Sequence, residues 1–569
     1  MLSFWPFATP YPEIQVRDIG EEYDYIIVGG GTAGCVLANR LSASPDTSVL
    51  LIERGPLADT WASRVPLLSS DFASDGSRTY KRKSEFQPEI DQHIELVVGS
   101  ALGGSSRINQ MLYTRGLKQE YDMWKDAGFE GWGWEDMKRN FIKSERSLMG
   151  AEIDEDIHGK NGEWCNQTSE DLHFRGFNKV IDSCKELGLP YIKDINSPKL
   201  PTIGCGLLHW TRDQNQHRHS TYHAFLPLDL ALKRKKNLHV VTKAVVERIQ
   251  FESPAIARGV NVVSRSGKES TSVRAKREII LCAGPFGSPH VLMLSGIGPA
   301  QHLKDHGIDV IKDLPAVGDN LEDHFGASIA YRVPMGESLL AIEKRPWVFI
   351  IELFRYLLFG TGLLLAPVLQ LAIFASSLLL NEKGMPSKIE IAGPETLPDV
   401  EIMPMAYFSG DGKFDKSRGI FSFLNVLLHP KSKGTVRLSS KDPKAPLLID
   451  PRYLSSPDDF APLRASLRLT LRVKESMIAQ GFPLEDWITP SGEDDASLDK
   501  FIRKHNRTTY HYSSTCRMGD VVDEKLRVIG VKGLRVADSS VFPWVLGTHL
   551  QAPTVCVAER CAEMILDGK

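Results

Sequence analysis

The chain has 569 residues, 42% of them hydrophobic and 24% charged, and its formal net charge is −3. At about 150 residues per unit, that length suggests roughly three or four units, and the composition suits a globular protein with a sizeable core. No extended basic stripe is present: Lys81-Arg82-Lys83 and the run from Lys233 to Lys236 are short and read as solvated turns, so nucleic acid is excluded as a partner.

The eight cysteines form no CxxC pair and have no zinc-like spacing with histidine, so no metal site is expected. Cys35 and Cys282 fall in apolar elements and read as small buried thiols, which fits a reducing compartment. Residues 1–15 have neither a basic start nor a long apolar stretch. No secretory signal is therefore expected, the location reads as cytoplasmic, and the sequons at Asn166 and Asn506 read as chance.

Taken in chain order, residues 25–28 (Tyr-Ile-Ile-Val) predict a buried parallel strand. Gly29, Gly31 and Gly34 follow in G-x-G-x-x-G spacing, with Thr32 and Ala33 inside the turn. Residues 35–41 then read as a helix, and residues 48–52 as a second strand ending at Glu53. Each part has a task in holding a dinucleotide: Gly29 turns the chain, Gly31 lets the backbone approach a pyrophosphate, and Gly34 lets helix and strand pack closely. The helix start offers unpaired N–H groups to phosphate, and Glu53 can accept from a ribose diol. The pattern predicts a Rossmann-like α/β domain. It does not separate NAD from FAD, which share ADP.

Further on, residues 99–109 hold the glycine loop Gly103-Gly104-Ser105, whose backbone can lie against a ring or phosphate. Residues 237–248 read as a strand pair containing Val245, and residues 279–284 as a buried strand running through Ala283 into glycine. From Tyr356 to Leu380 no residue is charged, long enough to span a bilayer. Gly360, Gly362 and Pro367 interrupt it, and residues 347–358 carry Glu352 and Arg355 as an amphipathic helix would. This stretch reads as buried helix, turn and strand, with a peripheral membrane surface as the alternative. Residues 400–405, 424–428 and 434–438 predict strands of an antiparallel sheet, and residues 552–566 a closing helix.

Four separated segments resemble the glucose–methanol–choline (GMC) oxidoreductase family: Gly99 to Asn109 with Tyr113, Gly116 and Asp122; Gly284 to Gly298; Val317 to His324; and the region from His511 onward. Their order is the family order. Two positions depart from the pattern: Ser100, where a basic or polar residue is usual, and Ser514, where glycine precedes Thr-Cys. The resemblance implies FAD, and it adds Gly99, Gly103, Gly104, Ser105, Asn109, Val245, Ala283, Asp538, Ser539 and Thr554 to the expected cofactor residues. It implies His511 as the base that takes an alcohol proton while hydride passes to the flavin, with His549 as its partner. Base catalysis of this kind supplies about 10²- to 10⁴-fold. His324 lies in a family segment and reads as structural.

The expected architecture is an α/β FAD-binding domain over 18–325 and 505–569, with 151–199 an excursion to the cap, and an α+β substrate domain over 326–504. The expected partners are a hydrophobic alcohol, suggested by the greasy segment, and oxygen or another electron acceptor. Three alternatives remain at this point: a lyase of the hydroxynitrile lyase type on the same fold, a nicotinamide-dependent dehydrogenase using the first motif alone, and a non-catalytic membrane-attached binding protein suggested by residues 356–380. A hydrolase fares worse, because Gly103-Gly104-Ser105-Ser106-Arg107 fails G-x-S-x-G at its last position.

Overall fold

The computed structural model describes residues 9–70, 76–150, 154–253, 255–387, 396–408 and 417–568. Residues 1–8, the first part of the 1–15 stretch on which the reading of the leader rests, lie outside the described residues. The elements that build the site are, in chain order, β1 (Glu22–Val28), α1 (Thr32–Leu41), β2 (Val49–Ile52), β3 (Tyr191–Ile192), β4 (Gly204–Leu207), β5 (Leu238–Val241), β6 (Ala244–Ser253), β7 (Ile256–Ser264), β8 (Ser270–Leu281), α2 (Gly284–Leu294), β9 (Phe325–Val333), α3 (Pro346–Phe359), β10 (Leu371–Ala375), β11 (Val400–Met405), β12 (Gly419–Leu427), α4 (Phe460–Ala479), β13 (Glu485–Ile488), β14 (Asn506–Thr508), β15 (Leu534–Val536) and α5 (Gln551–Asp567).

The first sheet has the order β5-β2-β1-β8-β7-β6, with β15 also paired to β8. β5, β2, β1, β8 and β15 run parallel, whereas β6, β7 and β8 form an antiparallel meander. Ile26 and Ile27 are wholly buried because helices cover the parallel strands; α1 and α5 pack against each other. The register aligns the carboxyl ends: Val28 sits beside Ile52 and Leu281, Ile52 beside Val241, and Leu281 beside Val536. The segments beginning at Gly29, Glu53, Cys282 and Ala537 therefore leave one edge together, the edge at which open α/β sheets bind ligands.

The second sheet has the order β13-β9-β12-β11-β10-β4-β3, with β14 also paired to β9, and α4 packs on β11 and β12. Every pair is antiparallel except β3–β4. It draws strands from both sides of the 326–504 span: β3 and β4 from 191–207, and β14 from 506–508. The Rossmann-like domain joined to an antiparallel sheet bears out the fold class expected from the sequence.

The segment from 347 to 380 departs from expectation in one respect. It does divide into helix α3, a left-handed stop at Gly360 (φ 60°), a short turn at Leu363–Leu365 and strand β10. The helix, however, is not buried; its apolar side chains face outward and Glu352 faces inward. No helix among the described residues is long and apolar enough to cross a membrane.

Candidate active site

The carboxyl edge of the first sheet and the face of the second enclose a cavity of about 510 Å³. Gly29, Gly31, Thr32, Ala33, Glu53, Gly99, Gly104, Ser105, Asn109, Val245, Ala283, Asp538, Ser539 and Thr554 line it, together with His511 and His549. Gly34 and Gly103 stand behind the wall. A Cβ on Gly34 would fall 1.9 Å from the Gly29 carbonyl oxygen, so its task is the close packing of α1 on β1. Gly103, at φ 98°, donates its N–H to the Gly30 carbonyl at 2.7 Å and ties the two glycine loops together.

The cradle fits a dinucleotide. A Cβ on Gly104 would come within 2.6 Å of Gly31 Cα, so glycine lets the two loops touch back to back. A Cβ on Gly31 would come no nearer than 3.8 Å to any neighbour, the Gly104 Cα; the space beside that backbone is room for a ligand. α1, α2 and α5 all begin at the wall, with Thr32, Gly284 and Gln551 lining it, so three helix N-termini present N–H groups and partial positive charge to it. Glu53 accepts from the N–H groups of Gly30 (2.9 Å) and Gly55 (2.7 Å), and burial pushes its pKa up to about 6. Asp538 accepts from Ser540 N–H, Gly284 N–H and the Ser288 hydroxyl, which joins the turn after β15 to the start of α2; burial raises its pKa. Asn109 donates to Gln551 Oε1 at 2.7 Å and so fastens the glycine loop to α5.

Beyond the cradle lies a line of three imidazoles. His324 Nδ1 is 2.9 Å from His511 Nδ1, His511 Nε2 is 3.1 Å from His549 Nδ1, and His549 Nε2 is 3.2 Å from Glu401 Oε1. The Thr509 hydroxyl donates to the His324 carbonyl and lies 3.1 Å from His511 Nδ1, so its oxygen can accept a proton held there. That tautomer leaves a lone pair on His511 Nε2. Burial first, then the His549 and His324 rings, holds the His511 pKa well below the ordinary 6.5, and burial lowers His324 to about 3. Both rings are neutral near pH 7. Asp323 fixes the segment: its carboxyl accepts from His511 N–H (2.7 Å) and from the hydroxyls of Thr508 and Tyr453 (2.5 Å each). The adjoining wall is largely apolar, with Val368, Leu369, Met403, Met405 and Leu424.

His324, read as structural, packs its ring against His511 behind the cavity wall. One reading of the sequence needs correction. Lys81-Arg82-Lys83 is not a solvated turn but the end of a strand (Thr79–Lys83) whose Arg82 lines the cavity. The Arg54 and Arg82 guanidinium groups both lie against the Tyr80 ring, at 4.2 and 4.7 Å from its centroid, and line the cavity; burial first, then these two cations, lowers the neighbouring His290 to about 4. Buried Arg218 was also invisible to motif reading. It donates to Ser69 Oγ, to the Ser106 carbonyl and to both oxygens of Asn109, locking the glycine loop. Glu401 had a signal only in hindsight: it shares the strand face of Met403 and Met405 at period two.

A family model described as GMC oxidoreductase matches residues 23–326, and a second with that description matches residues 430–558. The oxygen-dependent choline dehydrogenase 1 of Chromohalobacter salexigens is 32% identical over 566 residues, covering 96% of this chain and 95% of the relative. The alcohol dehydrogenase [acceptor] of Pseudomonas putida is 32% identical over 559 residues, covering 96% of each. Among solved structures, the formate oxidase of Aspergillus oryzae aligns with a TM-score of 0.84 at 26% identity, over 96% of this chain and 99% of that one. The pyridoxine 4-oxidase from Mesorbium loti aligns with a TM-score of 0.81 at 26% identity, over 96% of this chain and 99% of that one. These are named as dehydrogenases and oxidases; the lyase alternative finds no support in them, and the nicotinamide alternative falls to the same match. The chain belongs to the GMC oxidoreductase family and is an FAD-dependent oxidoreductase acting on CH–OH groups.

Proposed function

We propose that the protein oxidises a hydrophobic alcohol, with His511 as the base and His549 as its partner. The contact of His511 Nε2 with His549 Nδ1 at the cavity wall is the observation that carries this reading. Bound FAD supplies the acceptor for the hydride that leaves the carbinol carbon. The residues that would hold it are the cradle glycines 29, 31, 99 and 104, with Thr32, Ala33, Glu53, Ser105, Asn109, Val245, Ala283, Asp538, Ser539 and Thr554.

The chain's own part is to place the hydroxyl and receive its proton. An alcohol carbon gives up hydride readily only as the oxygen loses its proton. A hydroxyl entering between the two rings donates to His511 Nε2, and the proton is then shared by two facing ring nitrogens. The Glu401 carboxylate, 3.2 Å from His549 Nε2, balances the positive charge. The product is the corresponding aldehyde or ketone, and oxygen or another acceptor later takes the electrons. The apolar wall of Val368, Leu369, Met403, Met405 and Leu424 excludes water from the reacting atoms and favours an apolar substituent.

Anaerobic mixing of the FAD-loaded protein with a panel of alcohols tests the substrate class. Aryl, terpenoid or longer aliphatic alcohols are expected to bleach the flavin faster than sugars or choline. Preferential bleaching by a sugar or by choline would refute a hydrophobic substrate.

A further inference from the structure

The pyrophosphate of FAD is doubly negative, yet the glycine loop brings no cation to the cradle. Ser100, one of the two departures from the family pattern, is neutral. Arg107 is buried and donates to the carbonyls of Leu57 (3.1 Å), Leu102 (2.8 Å) and Ala58 (2.7 Å). Arg218 is committed in the same way to the Ser106 and Asn109 oxygens. Five cations from other segments line the cavity: Arg54, Arg82, Arg265, Lys444 and Arg507. Arg265 and Lys444 are exposed on turns, and Arg507 lies with Tyr407 and Tyr510. Arg54 and Arg82 remain.

These two share the Tyr80 ring, and no acid stands between them. The groups that act on the Arg82 charge are Tyr80 and Arg54, with no carboxylate among them. Glu53, next to Arg54, spends its two oxygens on the Gly30 and Gly55 N–H groups. Arg82 Nε is buried and has no hydrogen-bond partner. Two like charges on one ring, one with an unanswered buried donor, make an unfavourable arrangement until an anion completes it. A guanidinium held over a ring keeps its N–H edge free, and that edge matches a pair of phosphate oxygens.

The pair stands beside the glycine loops. A Cβ on Gly55 would fall 2.1 Å from the Ser100 carbonyl, so the segment that carries Arg54 is pressed against the loop. The Arg82 strand pairs with residues 95–99, setting Tyr80 opposite Val98 and Thr79 opposite Gly99. A Cβ on Gly99 would in turn fall 2.2 Å from the Gly104 backbone. Ring, cations and glycine loops therefore belong to one corner of the cavity.

We infer that Arg54 and Arg82, shelved on Tyr80, are the cationic half of the pyrophosphate site and pair with its oxygens where the glycine loops offer only N–H groups. This rests on FAD as the cofactor and not on the alcohol reading. The test dilutes the FAD-loaded full chain into low and high salt and follows the fluorescence of freed flavin. Wild type should release FAD faster as salt rises, because screening weakens partly exposed ion pairs. Arg54→Gln/Arg82→Gln should release it at least tenfold faster at low salt and lose most of the salt effect. Arg54→Lys/Arg82→Lys keeps the charges without the fork; it should fall between the two and keep the salt effect. If the double glutamine variant does not load FAD, Arg54→Gln alone, at an exposed side chain, carries the comparison. During reloading of the deflavinated full chain, ADP should compete far better than adenosine in wild type, and this preference should shrink at least tenfold in the glutamine variant. Release from the glutamine variant at the wild-type rate overturns the inference, as does an unchanged preference for ADP. A lysine variant as fast as the glutamine one, with no salt effect, also overturns it, since packing rather than charge then accounts for the loss.

Discussion

Ser514 stands where the family pattern has glycine, and its φ of 69° shows what the glycine is for. Tyr510 is also left-handed, at φ 64°, so His511 is presented by a stretch with two backbone positions that L residues adopt at a cost of about 1 kcal/mol or more each. Hydrogen bonds to Asp323 hold that stretch in place. Burial pushes the Asp323 pKa from the ordinary 3.8 up to about 7. The folded state therefore binds more protons than the unfolded chain between those values. This contribution is complete below about pH 4 and is lost as pH rises through about 7. Denaturant unfolding at a series of pH values should show wild-type stability falling across this window by on the order of 1 kcal/mol per pH unit more steeply than that of Asp323→Asn, whose side chain does not titrate. Equal slopes would contradict a raised Asp323. Only part of this was visible in the sequence: His511 and His549 stood out through their motif and Ser514 as a departure from it, Asp323 lay in a family segment with no role read for it, and Glu401 and Arg218 reach the site by folding from far away in the chain.

Among the elements, β1, α1 and β2 were legible because their signals are local: an apolar run, three spaced glycines and a terminal acid. The helix began three residues earlier than its apolar pattern, since Thr32 to Gly34 carry no hydrophobic period. β12 was seen only in part because all nine of its residues are buried, which removes the alternation that marks a half-exposed strand. The Arg82 strand was misread because three consecutive basic residues look solvated, yet the pleat turns the middle one into the cavity. α3 was misread for the opposite reason: Glu352 was taken to mark the wet face, whereas it marks the dry one. The same local physics makes Gly34 testable. With a Cβ there 1.9 Å from the Gly29 oxygen, Gly34→Ala should force α1 off β1, lower stability by about 1–3 kcal/mol and release FAD. Thermal unfolding and the fluorescence of freed flavin would report it; a variant that melts and holds FAD like the wild type would show that close packing at this turn is not required.

Over the whole molecule, one sheet carries the cofactor cradle at its carboxyl edge and the other turns Glu401, Met403 and Met405 toward it. The histidine line runs between them, with His324 before β9, His511 after β14 and His549 before α5. The family resemblance conveyed this two-domain plan; composition and period alone did not, because the second sheet is assembled from stretches as distant as 191 and 508. The claim that unites both halves is that neutral His511 takes the alcohol proton. Its most direct test is anaerobic rapid-mixing reduction of the FAD-loaded wild type and of His511→Ala by the best alcohol of the panel, across pH. The variant should stay yellow and be reduced about 10²- to 10⁴-fold more slowly, and the wild-type rate should hold down to below pH 6.5 because burial lowers the His511 pKa. A variant with intact colour that is reduced at the wild-type rate would contradict the account.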